Sequence, residues 1–356
     1  MPKDLLAGHP PWRRLLTVSV ALPVLFAAAV LAFAWQTARL QPRDLPIGIV
    51  GSTPGSQEVI DHLVETDPGG FDIRLYADVP TASSAIRDRD VYGVFVVTPQ
   101  HVEVLEASAA SPAVAQLLST IGGGLSRAAT AQAAAHGDPP VQLQTRDVVP
   151  LSSVDPKGQV FSSALLPLTI CSILIAAAIG ILVKFRPAWR QVLALSVVSA
   201  VAGAGAYLIT ETFLGALPNQ GLADWAGLAL TILAISAATA GLIALVGAAG
   251  LAIAAALMVF VGNPFSGATS APELLPTAVK HIGQWLPPGA GANLLRSTAY
   301  FNGNGASGHV AVLVVWIVLG FAAIALGHHA PIRCAASTPG RGAAKTPIDT
   351  GAGRAA

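Results

Sequence analysis

The hydrophobic pattern of the chain is dominated by long apolar runs, which polar segments separate. A helix needs roughly 20 apolar residues to cross a hydrocarbon core of about 30 Å. Four uncharged runs have close to this length, at residues 15–35, 161–183, 192–210 and 310–326. We predict that each of these runs forms a membrane-spanning helix.

Another uncharged stretch covers residues 225–262 and is too long for a single span. As one helix, its 38 residues would measure about 57 Å at about 1.5 Å per residue. We therefore predict two helices in this stretch, with a hinge near residues 247–250. The chain then has six transmembrane helices.

The distribution of Lys and Arg predicts how these helices are oriented. Residues 1–14, 184–191 and 328–356 together hold ten basic and two acidic residues, whereas residues 36–159 hold eight basic and fourteen acidic ones. Because cytoplasmic segments carry the excess of positive charge, both termini are expected in the cytoplasm. A composition rich in Ala, Gly and Arg favours a bacterial source, and hence a multi-pass protein of the bacterial cell membrane.

The first apolar run has a second possible interpretation. A basic segment precedes it, and Ala32, Phe33 and Ala34 near its end match the pattern of a signal-peptidase site. Its apolar core is longer than that of a typical signal peptide, so we favour an uncleaved anchor. In either case the segment that follows is exported.

The exported segment has the pattern of a small α/β domain. Apolar or alternating stretches near residues 45–51, 71–77, 92–97 and 101–107 predict strands. Residues 56–65 and 81–90 predict short helices between them. Residues 111–136 predict a long helix, loosened at glycines 122–124, that stands as a stalk returning the chain to the membrane.

The expected fold is a mainly α membrane protein of six transmembrane helices. A small exported α/β domain lies between the first and second helices, and a re-entrant or amphipathic exterior segment precedes the sixth. The expected boundaries are a cytoplasmic N-terminus at 1–14, a first helix at 15–36, the exported domain with its stalk at 37–159, a five-helix bundle at 160–327 and a disordered cytoplasmic tail at 328–356.

The composition argues against several function classes. The chain is 53% hydrophobic and 11% charged, with a net charge of +1, which disfavours a nucleic-acid binder. Its two cysteines, Cys171 and Cys334, provide neither a disulfide framework nor a metal site. The glycine-rich stretches at 303–308 and 340–346 lack the strand and helix that a nucleotide site requires. We expect no catalytic residues, no cofactor and no metal in this chain.

Helix breakers are concentrated after the fifth predicted span, in the stretch GNPFSGATSAPELLP at residues 262–276. Irregular backbone at membrane depth persists only where protein or water covers it. The candidate residues of this exterior segment are Asn263, Pro264, Gly267, Pro272, Glu273, Trp285 and Pro287. Glu211, an ionisable residue at the end of the third span, is a candidate for a transport pathway, although a helix end also lets it reach water.

Three stretches of the sequence resemble the YhgE/Pip-like (phage-infection-protein-like) membrane proteins of the type-2 ABC exporter permeases. They are SSAIRDRDVYGVFVVTP at 83–99, VDPKGQVFSSALLPL at 154–168, and the residues 262–276 together with QWLPPGAGANLLRSTAYFNG at 284–303. The resemblance covers nearly the whole chain. The exported domain is shorter than the long coiled versions in some relatives.

The resemblance implies a permease subunit of an ABC-type exporter that moves a lipid-like, hydrophobic or envelope-related substrate outward. Its partners would be membrane lipid, a second permease subunit in a homodimer or heterodimer, and a separate ABC ATPase that uses ATP. The exterior segment would be a lid, although a passive cap is equally compatible with the pattern. The ATPase contact would include Arg186, Trp189 and Arg190. The alternative is that the basic residues of this segment only orient the chain in the membrane, as cytoplasmic positive charge does. The alternative function is an envelope scaffold or receptor that transports nothing and whose exported domain binds a partner.

Overall fold

The computed structural model describes residues 12–38, 40–51, 54–98, 100–182, 187–217 and 221–329. The first described element, α1 (Trp12–Ala38), is a helix of 27 residues where the first span is predicted. It contacts the chain around residues 256–266. Much of the rest of its apolar surface, including Val24 and Phe26, is exposed.

The α/β domain forms a five-stranded sheet with three helices. In chain order its elements are β1 (Leu45–Val50), α2 (Pro54–Thr66), β2 (Phe71–Tyr76), α3 (Val79–Arg87), β3 (Gly93–Val97), β4 (His101–Glu106), α4 (Pro112–His136) and β5 (Gln142–Asp147). The strand order is β2-β1-β3-β4-β5. β1 is parallel to β2 and β3, β4 is parallel to β5, and β3 and β4 are antiparallel.

Strand β5 is an element that the hydrophobic pattern does not predict. Its sequence, QLQTRD, lies at the edge of the sheet and is almost entirely exposed. Because its side chains are almost entirely exposed, the apolar–polar alternation that identifies a half-buried strand is missing. The four predicted strands and three predicted helices of the domain are all present.

The helix α4 corrects the prediction of a loosened stalk. It runs without interruption through glycines 122–124 and packs along β4 and β5. A Cβ on Gly122 would lie 2.4 Å from Val104 Cγ2, so the glycine allows the helix to approach the sheet closely. The Ser126 hydroxyl also donates a hydrogen bond of 2.7 Å to Val141 O, just before β5. The helix therefore belongs to the domain.

Among the described residues, four helices are long and apolar enough to cross a membrane, and all lie in the second half of the chain: Gln159–Ile181, Ala188–Phe213, Leu222–Val246 and Ala306–His328. They are built from α5 (Gln159–Ala177), α6 (Ala188–Tyr207), α7 (Leu222–Val246) and, later in the chain, α11 (Ala306–His329). Helices α5 and α6 each continue into a π-helical turn, at Ala178–Leu182 and Leu208–Phe213. These four helices are compatible with a multi-pass membrane protein.

The uncharged stretch that follows α6 is divided where the hinge is predicted. Gly247 has a φ of 69°, which favours glycine, and α7 ends there. The chain continues as α8 (Ala248–Ala255, 8 residues) and the π-helical Ala256–Gly262 (7 residues). Together they are shorter than the roughly 20 residues of a full span. The membrane placement of this segment and of α1, and hence the count of six spans, stays a prediction.

Helix α7 is the centre of the bundle, because α5, α6, α8, α10 and α11 all pack against it. The contact between α7 and α11 is close: a Cβ on Gly320 would lie 2.4 Å from the carbonyl carbon of Ala237. Small residues permit such an approach between membrane helices. The outward faces of α5, α6 and α11 expose apolar side chains, including Leu174, Val201 and Val318, as lipid contact requires.

The segment before α11 is more buried than the predicted re-entrant or amphipathic piece. After short 3-10 turns at Pro264–Ser266 and Pro272–Leu274 it forms α9 (Thr277–Trp285) and α10 (Pro287–Tyr300). All residues of α10 from Pro287 to Ala299 are buried, and the helix packs against α7 and α11. The expected break at Pro287 is present: α9 ends at Trp285, and Pro287 begins α10, since the first helical turn tolerates proline.

Candidate functional site

The α/β domain and the segment before α11 share a core. Ala271 and Leu274 pack among the side chains of β1, including Ile47. Backbone hydrogen bonds connect the two parts: Arg43 N donates to Glu273 O at 2.9 Å, and Gln41 N donates to Leu274 O at 3.2 Å. The α/β domain is therefore attached to the bundle by a packed joint.

Arg89 connects the domain to α10 across this joint. It follows α3 with a φ of 65°, an uncommon conformation for a residue with a side chain. Its guanidinium donates hydrogen bonds to Asn293 O at 3.1 Å, to Asn293 Oδ1 at 3.2 Å and to Ser297 Oγ. It also lies 5.3 Å from the ring centroid of Phe301. Burial lowers the pKa of Arg89.

Glu273 is held by two partners at the same joint. The Tyr92 hydroxyl donates a hydrogen bond of 2.6 Å to Glu273 Oε2, and Lys280 Nζ lies 3.7 Å from Glu273 Oε1. Burial, and then the neighbouring Glu273 carboxylate, raise the pKa of Tyr92 well above its usual value. Tyr92 therefore remains a hydrogen-bond donor at neutral pH.

These side chains surround a polar cavity of about 220 Å³ at the joint. Its wall combines cationic, acidic and amide groups with the ring of His309 at the start of α11. The residues that carry these groups are Arg89, Tyr92, Glu273, Lys280, Asn293 and His309. The cavity is a polar candidate site between the α/β domain and α10.

A second, apolar candidate site is a groove of about 440 Å³ between α5 and α6. Both helices pack against α7, but they contact each other only slightly, and Leu228 and Ile232 of α7 form the floor. Small residues on α6, including Gly205, widen the groove. Cys171 lies in its wall and is exposed.

The groove offers almost no free hydrogen-bonding group. Its two hydroxyl side chains, Ser172 and Thr210, donate to carbonyl groups of their own helices, at 2.7 Å to Leu168 O and 2.9 Å to Ala206 O. The volume falls within the range of about 300–1,000 Å³ for small-molecule sites. Such a surface suits an apolar chain, because a polar ligand would lose its hydrogen bonds to water there.

None of the predicted lid residues lines the groove, and two of them, Pro272 and Glu273, line the cavity at the joint. Pro264, Gly267, Pro272 and Pro287 are buried, and Asn263 and Glu273 are half-buried. Gly267 has a φ of 69°, and a Cβ there would meet Pro272 N at 2.7 Å. These residues turn the chain towards the α/β domain. A lid function stays a prediction.

Trp285 is the exposed member of the predicted lid residues, with 65% of its surface accessible. It lies at the end of α9, and its carbonyl oxygen accepts a hydrogen bond of 2.8 Å from Trp316 Nε1 of α11. An exposed Trp beside a membrane helix suits the membrane interface.

The predicted ATPase contact lies at the opposite end of the bundle from the α/β domain. Arg186 is outside the described residues. Trp189 and Arg190 are exposed and belong to the first turn of α6, where a loop was expected, and Pro187 precedes that turn. The Arg190 guanidinium lies 5.6 Å from the Trp189 ring centroid. The two side chains form a small basic and aromatic surface.

Glu211 lies in the π-helical end of α6 and is half-buried. Its Oε2 is buried without a hydrogen-bond partner among the described residues. The neighbouring Ile209 and Thr210 line the groove, but Glu211 does not. The structure therefore places it near the groove without making it part of the wall.

The sequence pattern did not identify Arg89, Tyr92, Asn293 or Arg296 as site residues. A signal was present for Arg296, because it is the only charged residue between Lys280 and the end of the last apolar run at residue 326. The chain was expected to lie on the exterior surface there, so a charge needed no partner. Comparison with models of known families, with curated proteins and with solved structures finds no match.

Proposed function

We propose that this protein is a permease subunit that moves a lipid-like, hydrophobic substrate outward across the bacterial cell membrane. It works as a dimer with a separate ATPase, and both of its termini are cytoplasmic. The observation that carries the proposal is the groove between α5 and α6, which is apolar, as large as a ligand site, and located in two helices suited to span a membrane.

The position of the groove favours transport over simple lipid contact. It reaches α10 through Leu295 and the segment after α6 through Ala216 and Leu217. Helix α10 packs against α7 and α11 and is bonded to the α/β domain through Arg89. A change in the groove is thereby coupled to the exported domain and to the centre of the bundle. Alternating access requires such a connected moving element.

Photoactivatable phospholipids with a diazirine on the acyl chain test whether the groove holds a lipid. The full-length protein is reconstituted in vesicles, irradiated and mapped by mass spectrometry. We expect adducts at Cys171 and Ile175, which line the groove, to saturate as the fraction of photoactivatable lipid rises. Adducts at Leu174, which faces the surrounding lipid on the same helix, should rise in proportion to that fraction. The same proportional rise at all three positions would contradict the proposal.

A Gly205→Phe variant provides the blocking test. A Cβ on Gly205 meets no heavy atom within 4 Å, so the new ring enters the groove without displacing the backbone. The matched control is Gly308→Phe, since Gly308 also faces open space but does not line the groove. Adducts at Cys171 should be lost in Gly205→Phe and retained in Gly308→Phe. If the protein is a scaffold or receptor, the yield of adducts at Cys171 should depend on neither substitution.

A further inference from the structure

Arg296 of α10 is a buried cation with no acidic side chain within 4.0 Å among the described residues. Only 4% of its surface is exposed. Its Nη2 donates one hydrogen bond of 3.0 Å to Ala268 O, and its guanidinium lies 5.0 Å from the ring centroid of Phe161. The three ion pairs within 4.0 Å in the described parts of the chain do not include it. A buried charge is normally paired.

Arg296 faces a small cavity of about 40 Å³ beside the start of α5. The cavity has a cationic and hydroxyl-rich wall, and the residues that form it include Arg296, Lys157, Ser162, Thr269 and Tyr300. A volume of this size holds a few water molecules, or one compact anionic group in their place. It does not hold a large sugar head group.

Phe161 lines both this small cavity and the apolar groove. Leu295, the residue before Arg296, also lines the groove. The cationic cavity and the apolar groove are therefore neighbours that share a side chain. Lys157 lies two residues before the candidate span that begins at Gln159, so the cavity is at the depth of lipid head groups.

The local charge favours an anion. Asp155, the acidic residue nearest in sequence to Lys157, accepts hydrogen bonds of 2.8 Å from both Gln159 N and Val160 N at the start of α5. Its two oxygens are thus engaged with the helix. Burial lowers the pKa of Arg296 to about 10, so the guanidinium remains charged at neutral pH.

From this geometry we infer that the substrate is an anionic phospholipid, with its phosphate at Arg296 and Lys157 and its acyl chains in the groove. The inference rests on the proposed function, to which it adds the chemical class of the head group. A phosphate accepts charge-assisted hydrogen bonds from a guanidinium and an ammonium. A phosphate bound beside Arg296 supplies the anionic partner that the described residues do not supply.

The test compares two photoactivatable lipids that differ only in the head group, phosphatidylglycerol and phosphatidylcholine. Each is added in turn to vesicles that contain the full-length protein, and adducts at Cys171 and Ile175 are counted. Both lipids carry the phosphate, but the choline of phosphatidylcholine adds a bulky quaternary ammonium, which the two cations Arg296 and Lys157 repel and the small cavity excludes. We therefore expect phosphatidylglycerol to label these positions about tenfold more than phosphatidylcholine.

Lys157→Gln and Arg296→Gln should each reduce this preference. Lys157 is exposed, so its variant keeps the fold even if the Arg296 variant does not. Arg127→Gln is the matched control, because it removes an exposed positive charge of α4 that lines neither cavity. The preference should be unchanged in that control.

Three results would overturn the inference, and they differ in whether they also affect the proposed function. Equal labelling of the groove by both lipids in the wild-type protein would overturn the head-group assignment and leave the proposed function standing. So would a preference that persists in Lys157→Gln. Absence of groove adducts with either lipid would overturn the proposed function as well.

Discussion

The Tyr92 hydroxyl donates a hydrogen bond of 2.6 Å to Glu273 Oε2, which joins the α/β domain to the segment before α11. The two residues are 181 positions apart in the chain. Tyr92 lies just before β3 and packs at the edge of the domain core, while Glu273 follows the turn made by Gly267 and Pro272. The bond adds to the contacts of Arg89 with Asn293 across the same joint.

Loss of this bond should loosen the joint. In Tyr92→Phe the donor is removed and Glu273 keeps only Lys280, so we expect a cost of about 1–3 kcal/mol for the half-buried carboxylate. Amide hydrogen exchange at Leu274 and Leu275 should accelerate roughly tenfold as a result. Tyr76→Phe, at the edge strand β2, is the control and should leave this exchange unchanged. Identical exchange in both variants would show that the bond does not hold the joint.

The joint should also weaken at alkaline pH. The pKa of Tyr92 is raised in the folded protein, first by burial and then by Glu273. A raised folded pKa gives stability that is fully present below the unfolded value of about 10 and is lost as the pH rises towards the folded value. The midpoint temperature of thermal unfolding should therefore fall more steeply above about pH 10 in the wild-type protein than in Tyr92→Phe. Parallel curves would contradict this assignment.

The orientation of the bundle predicts which positions an impermeant thiol reagent reaches in intact cells. In a Cys171→Ser, Cys334→Ser background, Ser84→Cys and Ser307→Cys should react, since both positions are exposed on the side of the α/β domain. Trp189→Cys should not, because Trp189 lies at the other end of α6 and is 58% exposed there. Labelling of Trp189→Cys before membrane permeabilisation would reverse the proposed orientation.

The basic and aromatic surface at the start of α6 should contact the ATPase. Trp189→Ala removes an exposed aromatic anchor and preserves the positive charge that orients the chain. We expect normal insertion but loss of the ATPase on purification in mild detergent, detected by mass spectrometry and ATP hydrolysis. Trp12→Ala, a second exposed Trp on this side, should retain it. If both variants retain the ATPase, this surface only orients the chain in the membrane and does not contact the ATPase.

The sequence predicted those parts of the fold that a local pattern specifies. The buried strands β1 and β3, which contain Ile47 and Phe95, have an apolar pattern. The break at Gly247 follows from the length of an uncharged stretch. Strand β5 was missed because an exposed edge strand has no such pattern. Helix α10 was placed on the exterior because its burial depends on contacts with α7 and α11, which are distant in sequence.

The candidate sites were less predictable than the fold, since the cavity at the joint and the groove between α5 and α6 both arise from tertiary packing. The groove exists because α5 and α6 diverge over α7, and no single residue signals that divergence. Arg89 and Arg296 look like ordinary exposed charges until the segment before α11 is buried against the domain. Their significance comes from desolvation, which a sequence does not display.

The most direct test of the central claim is lipid movement by the purified protein with its ATPase in proteoliposomes. A fluorescent phosphatidylglycerol should move between leaflets when ATP is added to the wild-type protein. Gly205→Phe should lose this movement while retaining the ATPase, and Gly308→Phe should behave as the wild type. ATP-dependent movement that is absent from the wild-type complex, or unchanged in Gly205→Phe, would contradict a transport path through the groove.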